Sequence, residues 1–134
     1  LRGIGITKAT TPIQIDRYSN ISAGAAVAFL DTSNRFDGWK ASFAAKDASI
    51  QYNTVDFGKQ APTRLLARIT GDKGAVIHIH ADNKSGPLIA ILTCDGENWK
   101  VTQTRVLKTI KGMHHLVLIN ANDKKAEIDW LRFE

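Results

Sequence analysis

Apolar and polar residues alternate with a period of two along most of this chain, a pattern that suits strands and little else. Between Thr63 and Thr70, Leu65, Ala67 and Ile69 take one side while Arg64, Leu66 and Arg68 take the other. From Ala75 to Ala81, Ile77 and Ile79 stand against Val76, His78 and His80. Turn-forming clusters interrupt the alternation: Gly71-Asp72-Lys73-Gly74, Asp82 to Pro87, Asp95-Gly96-Glu97-Asn98, Lys111-Gly112 and Asn122-Asp123-Lys124. Further strands are expected at Ile13 to Tyr18, Ala25 to Asp31, Ser49 to Phe57, Leu88 to Cys94, Trp99 to Val106, Met113 to Asn120 and Ala126 to Phe133. No segment longer than a turn or two has helical periodicity. About nine or ten such strands pack as two antiparallel sheets. Leu1 to Pro12, with Gly3, Gly5 and Thr10-Thr11-Pro12, reads as a leader or linker ahead of one domain over residues 13 to 134.

At 134 residues the chain is long enough to bury a core without metal or disulfide help. Its one cysteine, Cys94, cannot form an internal bridge and lies in an apolar run that favours a buried thiol. No apolar run approaches the roughly 18 residues that a membrane helix needs. The chain begins with Leu1, which reads as an excised piece or a processed product, so a missing targeting signal is uninformative. The net charge of +5 raises nucleic acid as a partner. Lysines and arginines are nevertheless scattered, and the tightest pair, Lys124-Lys125, is flanked by Asp123 and Glu127. The charge therefore reads as a solvated surface, and neither nucleic acid nor membrane is expected as a partner.

Catalysis finds no support. There is no Gly-x-Ser-x-Gly elbow, phosphate-binding loop or His-Glu-x-x-His helix. His78 and His80 share one strand face, a spacing that can bind zinc if a third ligand comes from elsewhere. Surface strand histidines are also common without metal, and the two could instead form part of a cleft on a sheet face. Trp99, after Gly96-Glu97-Asn98, belongs to a loop and either contacts a partner or folds back on the core.

Five stretches together resemble the family 6 carbohydrate-binding modules, jelly-roll domains attached to glycoside hydrolases. They are Ile13 to Tyr18, Ile50 to Gly58 (Ile-Gln-Tyr-Asn-Thr-Val-Asp-Phe-Gly), Ile77 to Ile89, Asn98-Trp99 with Thr102, and His114 to Leu118 followed by Ile128 to Phe133 (Ile-Asp-Trp-Leu-Arg-Phe). They run in consistent order over residues 13 to 134. The resemblance implies an all-β jelly-roll sandwich of about nine to eleven strands. It also implies a non-catalytic monomer that binds a plant or algal polysaccharide or oligosaccharide. That module would serve a linked catalytic domain within a secreted bacterial protein, at an extracellular, periplasmic or cell-surface location. A module packed on its catalytic domain with a degenerate sugar site is the alternative.

By position, the resemblance makes Phe43 and Trp99 the stacking rings of a loop-end sugar site, with Lys125, Asn120 and Asn122 as polar contacts. Phe43 stands for the family's Tyr and Lys125 for its Asn; a lysine there could favour an acidic or sulfated sugar. The family's Asn-Gly-Asp-Trp is replaced by Lys46-Asp47-Ala48-Ser49, so a second cleft on the concave sheet face is expected to be weak or absent. A structural calcium ion is implied at Gln14, Asp16 and Asp129, with carbonyls near Asp31 to Asp37. It would pin the two ends of the domain, and the neutral Gln14 would make the site weaker.

Overall fold

The structure, a computed structural model, describes residues 6–13, 15–34 and 38–134. Among these residues there are eleven strands and no helix. They are β1 (Thr7–Lys8), β2 (Asn20–Ile21), β3 (Ala25–Phe29), β4 (Trp39–Phe43), β5 (Ser49–Asp56), β6 (Arg64–Gly71), β7 (Val76–Ala81), β8 (Leu88–Thr93), β9 (Lys100–Arg105), β10 (Met113–Asn120) and β11 (Ala126–Phe133). One sheet has six strands in the order β1-β5-β10-β7-β8, with β2 also on β5; the other runs β3-β4-β11-β6-β9. All pairings are antiparallel except β1 with β5. The expected jelly-roll sandwich is the observed fold.

The alternating residues fill the space between the sheets. Leu65, Ala67 and Ile69 of β6 and Ile77 and Ile79 of β7 are buried, as their spacing requires. Twice the inward step is three residues rather than two, and each time the pairing register shifts. On β11 it runs from Ile128 to Leu131, with the shift between Ile128 and Trp130. On β5 it runs from Tyr52 to Val55, opposite the shift on β10 between His114 and Leu116. Such bulges let a strand re-aim without losing its core face. Thr54 sits in the second with φ at 55°, and its amide donates to His115 Nδ1 at 3.3 Å. Tyr52 is buried, its hydroxyl donates to the Ile15 carbonyl at 2.8 Å, and burial pushes its ionisation well above the usual range.

Three expectations need correction. The described residues of Ile13 to Tyr18 form no strand, although Ile13 and Ile15 are both buried and mimic alternation. The segment passes through a turn at Ile15–Asp16, and Gln14 lies outside the described residues. Residues 7–12 are no linker: β1 pairs with β5, buried Ala9 donates to Asp56 O, and Phe133 donates to Ala9 O, both at 2.8 Å. Finally, β4 was not expected. It lies between β3 and β11, with Trp39 stacked on Phe29 at 4.2 Å between ring centroids.

Candidate functional site

The second sheet ends in a cleft of about 480 Å³ bordered by Ser42, Thr70, Asp72, Glu97, Trp99, Lys125 and Glu127. Its base is a close approach of β6 to β11. Asp72 donates its amide to Lys125 O and accepts the Lys125 amide on Oδ2, each at 2.9 Å. Gly71 makes this possible, because a β-carbon there would lie 2.4 Å from Lys125 O. The loop between β8 and β9 supplies one wall. Gly71 donates its amide to Gly96 O at 3.2 Å, and Lys100 reaches back to Asp95 at 3.0 Å. That lysine's hydrogen bond holds the Asp95 carboxyl below its ordinary value. Trp99 leaves this stapled loop half-exposed, directly before β9.

The cleft mixes apolar and charged residues, and its charged side chains are more often acidic than basic. Glu127 is neutralised by Lys40 at 2.7 Å and accepts a hydrogen bond from Ser42 at 2.9 Å. Glu97, Asp72 and Lys125 are the other charged groups of its lining. Thr70 forms the back of the cleft, and its Oγ1 has no hydrogen-bond partner among the described residues. This balance does not match the acidic or sulfated sugar that Lys125 alone suggests.

Of the five expected sugar contacts, Trp99 and Lys125 meet in this cleft and are accessible. Phe43 is at the cleft floor but is only 1% exposed. It pairs in register with Ala25 on one side and Ala126 on the other, and it belongs to the buried core. It offers no open stacking face, contrary to expectation. Asn120 is fully buried, and its Nδ2 donates to Ala45 O at 3.0 Å and Lys124 O at 2.8 Å, so it ties loops together rather than facing a sugar. Asn122 donates to Gly74 O at 2.9 Å and accepts the Lys124 amide at 3.2 Å, a turn-forming role. Sequence reasoning missed Ser42, Thr70, Asp72, Glu97 and Glu127. Two of them left a faint signal: Glu97 lies two residues from Trp99, and Glu127 two from Lys125.

Asp16 and Asp129, two of the expected calcium ligands, border one recess of about 290 Å³ beside Ile13 and Gly38. Carboxylates suit a hard cation. Asp129, however, has Oδ2 engaged by Arg68 Nη1 at 2.7 Å, leaving Oδ1 as the oxygen it could offer. No group of three or more His, Cys, Asp or Glu side chains converges among the described residues. Two side chains supply part of a cage of six to eight oxygens, and Gln14 and residues 35–37 lie outside the described residues.

The outer face of the six-stranded sheet is different. Tyr52 is the one aromatic residue in its strands, and it points inward. Ala48 and Ser49, where the family's second cleft has Asp and Trp, are buried. His78 and His80 stand outward with ring centroids 6.2 Å apart, and His80 Nδ1 donates to Gly86 O at 2.8 Å. The third ligand that a zinc site requires is absent among the described residues.

The sequence profile of the carbohydrate binding module (family 6) matches residues 20–134. The chain belongs to that family. The module is accordingly a non-catalytic carbohydrate-binding domain. Solved structures share its fold, among them the following three. A family 6 module, CsCBM6-3 from Clostridium stercorarium in complex with cellobiose, is 18% identical with a TM-score of 0.83, covering 97% of both chains. A family 6 module from Clostridium cellulolyticum in complex with xylose is 24% identical with a TM-score of 0.82, covering 96% of this chain and 99% of that one. The third is a family 43 arabinoxylan arabinofuranohydrolase from Bacillus subtilis in complex with cellotetraose. It is 14% identical with a TM-score of 0.82, and the match covers 97% of this chain but 28% of the enzyme. No curated protein sequence matches the module closely enough to count as a relative. No helix among the described residues is long and apolar enough to cross a membrane.

Proposed function

We propose that the Trp99 cleft binds one pyranose of a plant or algal polysaccharide and so holds a linked glycoside hydrolase at its substrate. The observation that carries this reading is the half-exposed Trp99 ring bordering a cleft whose apolar lining is rimmed by charged side chains, Lys125 among them. A pyranose presents axial C–H groups that pack on an aromatic face, while its hydroxyls need donors and acceptors around the rim. Lys125 supplies donors, and Glu97 and Glu127 supply acceptors. With one open ring rather than two, a single site binds weakly. The benefit to a tethered enzyme would come from raised local concentration. The B. subtilis enzyme, in which a domain of this fold is part of a larger hydrolase, supports such a linkage.

The burial of Phe43 and the backbone commitments of Asn120 favour a second reading, in which the module packs on its catalytic domain and has lost sugar binding. Intrinsic tryptophan fluorescence, titrated with xylan, arabinoxylan, β-glucan, agarose and charged oligosaccharides, separates the two. A saturable change that vanishes in Trp99→Ala establishes the cleft; silence across the panel leaves the structural role. Asp16 and Asp129 would hold a structural calcium ion that ties the segment before β2 to β11. A melting temperature that rises with calcium and falls with chelator, and ignores both in Asp16→Asn, is the expected result.

A further inference from the structure

Trp99 borders two recesses: the cleft just described, and an open recess of about 660 Å³ bordered also by Phe29, Asp31, Lys40 and Arg68. Arg68 belongs to the second recess and not to the first. It projects from the middle of β6, at the register position between Trp130 of β11 and Val101 of β9. Its guanidinium carbon lies 4.8 Å from the centre of the Trp99 ring, while Nη1 lies 2.7 Å from Asp129 Oδ2. Asp129 is aimed by the β11 bulge between Ile128 and Trp130.

We propose that Arg68 is the positioning residue for Trp99: its guanidinium, held by Asp129, backs the indole and presents one face to the cleft. The proposal rests on the sugar-binding reading above and adds the residue that gives the stacking ring its conformation. A tryptophan on a loop can take several rotamers, and ordering it on binding costs affinity. A planar guanidinium already fixed by a carboxylate can stack on an indole with little further loss of freedom. Both partners are partly desolvated, with 33% of the Arg68 and 17% of the Asp129 side chain exposed, which strengthens the contact. A consequence is that a sugar stacks on one face of Trp99 rather than on either.

Two readouts test this, and one needs no sugar. The first is acrylamide quenching of the Trp99 signal, taken as the difference between parallel measurements with Trp99 and with Trp99→Phe. The second is calorimetric titration with xylohexaose and cellohexaose. Because Arg68→Met alone leaves the Asp129 carboxylate without its partner, Arg68→Met/Asp129→Asn is made beside it, together with Arg68→Lys. The expected result is a clear rise in Trp99 quenching in both Met variants, with melting temperature held in the double variant when it and the wild type are compared in chelator, where the proposed calcium ligand Asp129 has no ion to lose. Affinity for whichever hexaose binds should fall about five- to twentyfold, and no further when Trp99 is already Ala. Arg68→Lys should fall between, since lysine keeps the charge and loses the planar stack. Unchanged quenching in the double variant overturns the proposal, as does an equal loss of affinity in the Trp99→Ala background. If the wild-type module binds neither hexaose, the sugar reading fails for those glycans, and the quenching comparison still decides the role of Arg68.

Discussion

The two places where this sandwich could meet a glycan, the loop-end cleft and the outer face of the six-stranded sheet, differ in how their side chains are held. At the cleft, a short loop fixed by Gly96 and by the Asp95–Lys100 pair presents Trp99, and the charged groups Asp72, Glu97, Lys125 and Glu127 line the cleft beside it. On the sheet face, the outward positions of β5, β10 and β7 carry Gln51, Val117, Ile119, His78 and His80, with no ring large enough to seat a pyranose. Binding surfaces need a large rigid apolar body with polar groups beside it, and a loop supplies that more readily than a row of strand residues. The difference also separates two aromatics inside the cleft itself. Trp99 stands on a loop and is accessible, whereas Phe43 stands on a strand and is buried.

Several substitutions break or sharpen that comparison. The largest effect is expected for Phe43→Ala, which empties a core slot and should lower unfolding stability by about 3–5 kcal/mol in urea denaturation. If stability holds and only sugar binding falls, Phe43 is a platform after all. Trp99→Ala should behave in the opposite way. Its melting temperature should move little, while sugar affinity falls about thirtyfold, or about 2 kcal/mol, by calorimetry. Gly71→Ala pushes β6 off Lys125 O and should cost about 1–3 kcal/mol of stability while also widening the cleft. His78→Ala with His80→Ala should leave sugar affinity unchanged and stability within about 0.5 kcal/mol, as for surface changes generally. A loss of binding there would restore the sheet face as a site.

The smallest effect concerns pH. Lys100 depresses the Asp95 carboxyl, so whatever this pair adds to the loop is present above the ordinary aspartate value of about 3.9 and fades as pH falls through the lower folded value. Trp99 emission should therefore shift on acidification in the wild type and be less sensitive in Lys100→Met.

Much of the fold was legible in the residues, and the reason is physical. Where one sheet face is buried, alternation is enforced at every second position. Met113 to Asn120 and Ala126 to Phe133 thus emerged with the bounds they have in the structure. Alternation failed where it was imitated, as at Ile13 and Ile15, or where a strand is short and mixed, as at Trp39 to Phe43. Of the candidate site, the turn cluster before Trp99 placed it in a loop, and the resemblance to the family made it and Lys125 sugar contacts.

The chain by itself determined the strand ladder, the burial of Cys94 and the family, because each depends on local pattern and on the order of motifs. Only the tertiary structure decided the rest of the site. Whether Phe43 faces the core or the cleft depends on the register of β4 between β3 and β11. Whether Asn120 meets a sugar or a loop depends on where the Ala45 carbonyl comes to lie, seventy-five residues away in the chain. That Arg68, Trp99 and Asp129 meet at all follows from β6 lying between β9 and β11, an adjacency in space that no local sequence signal records.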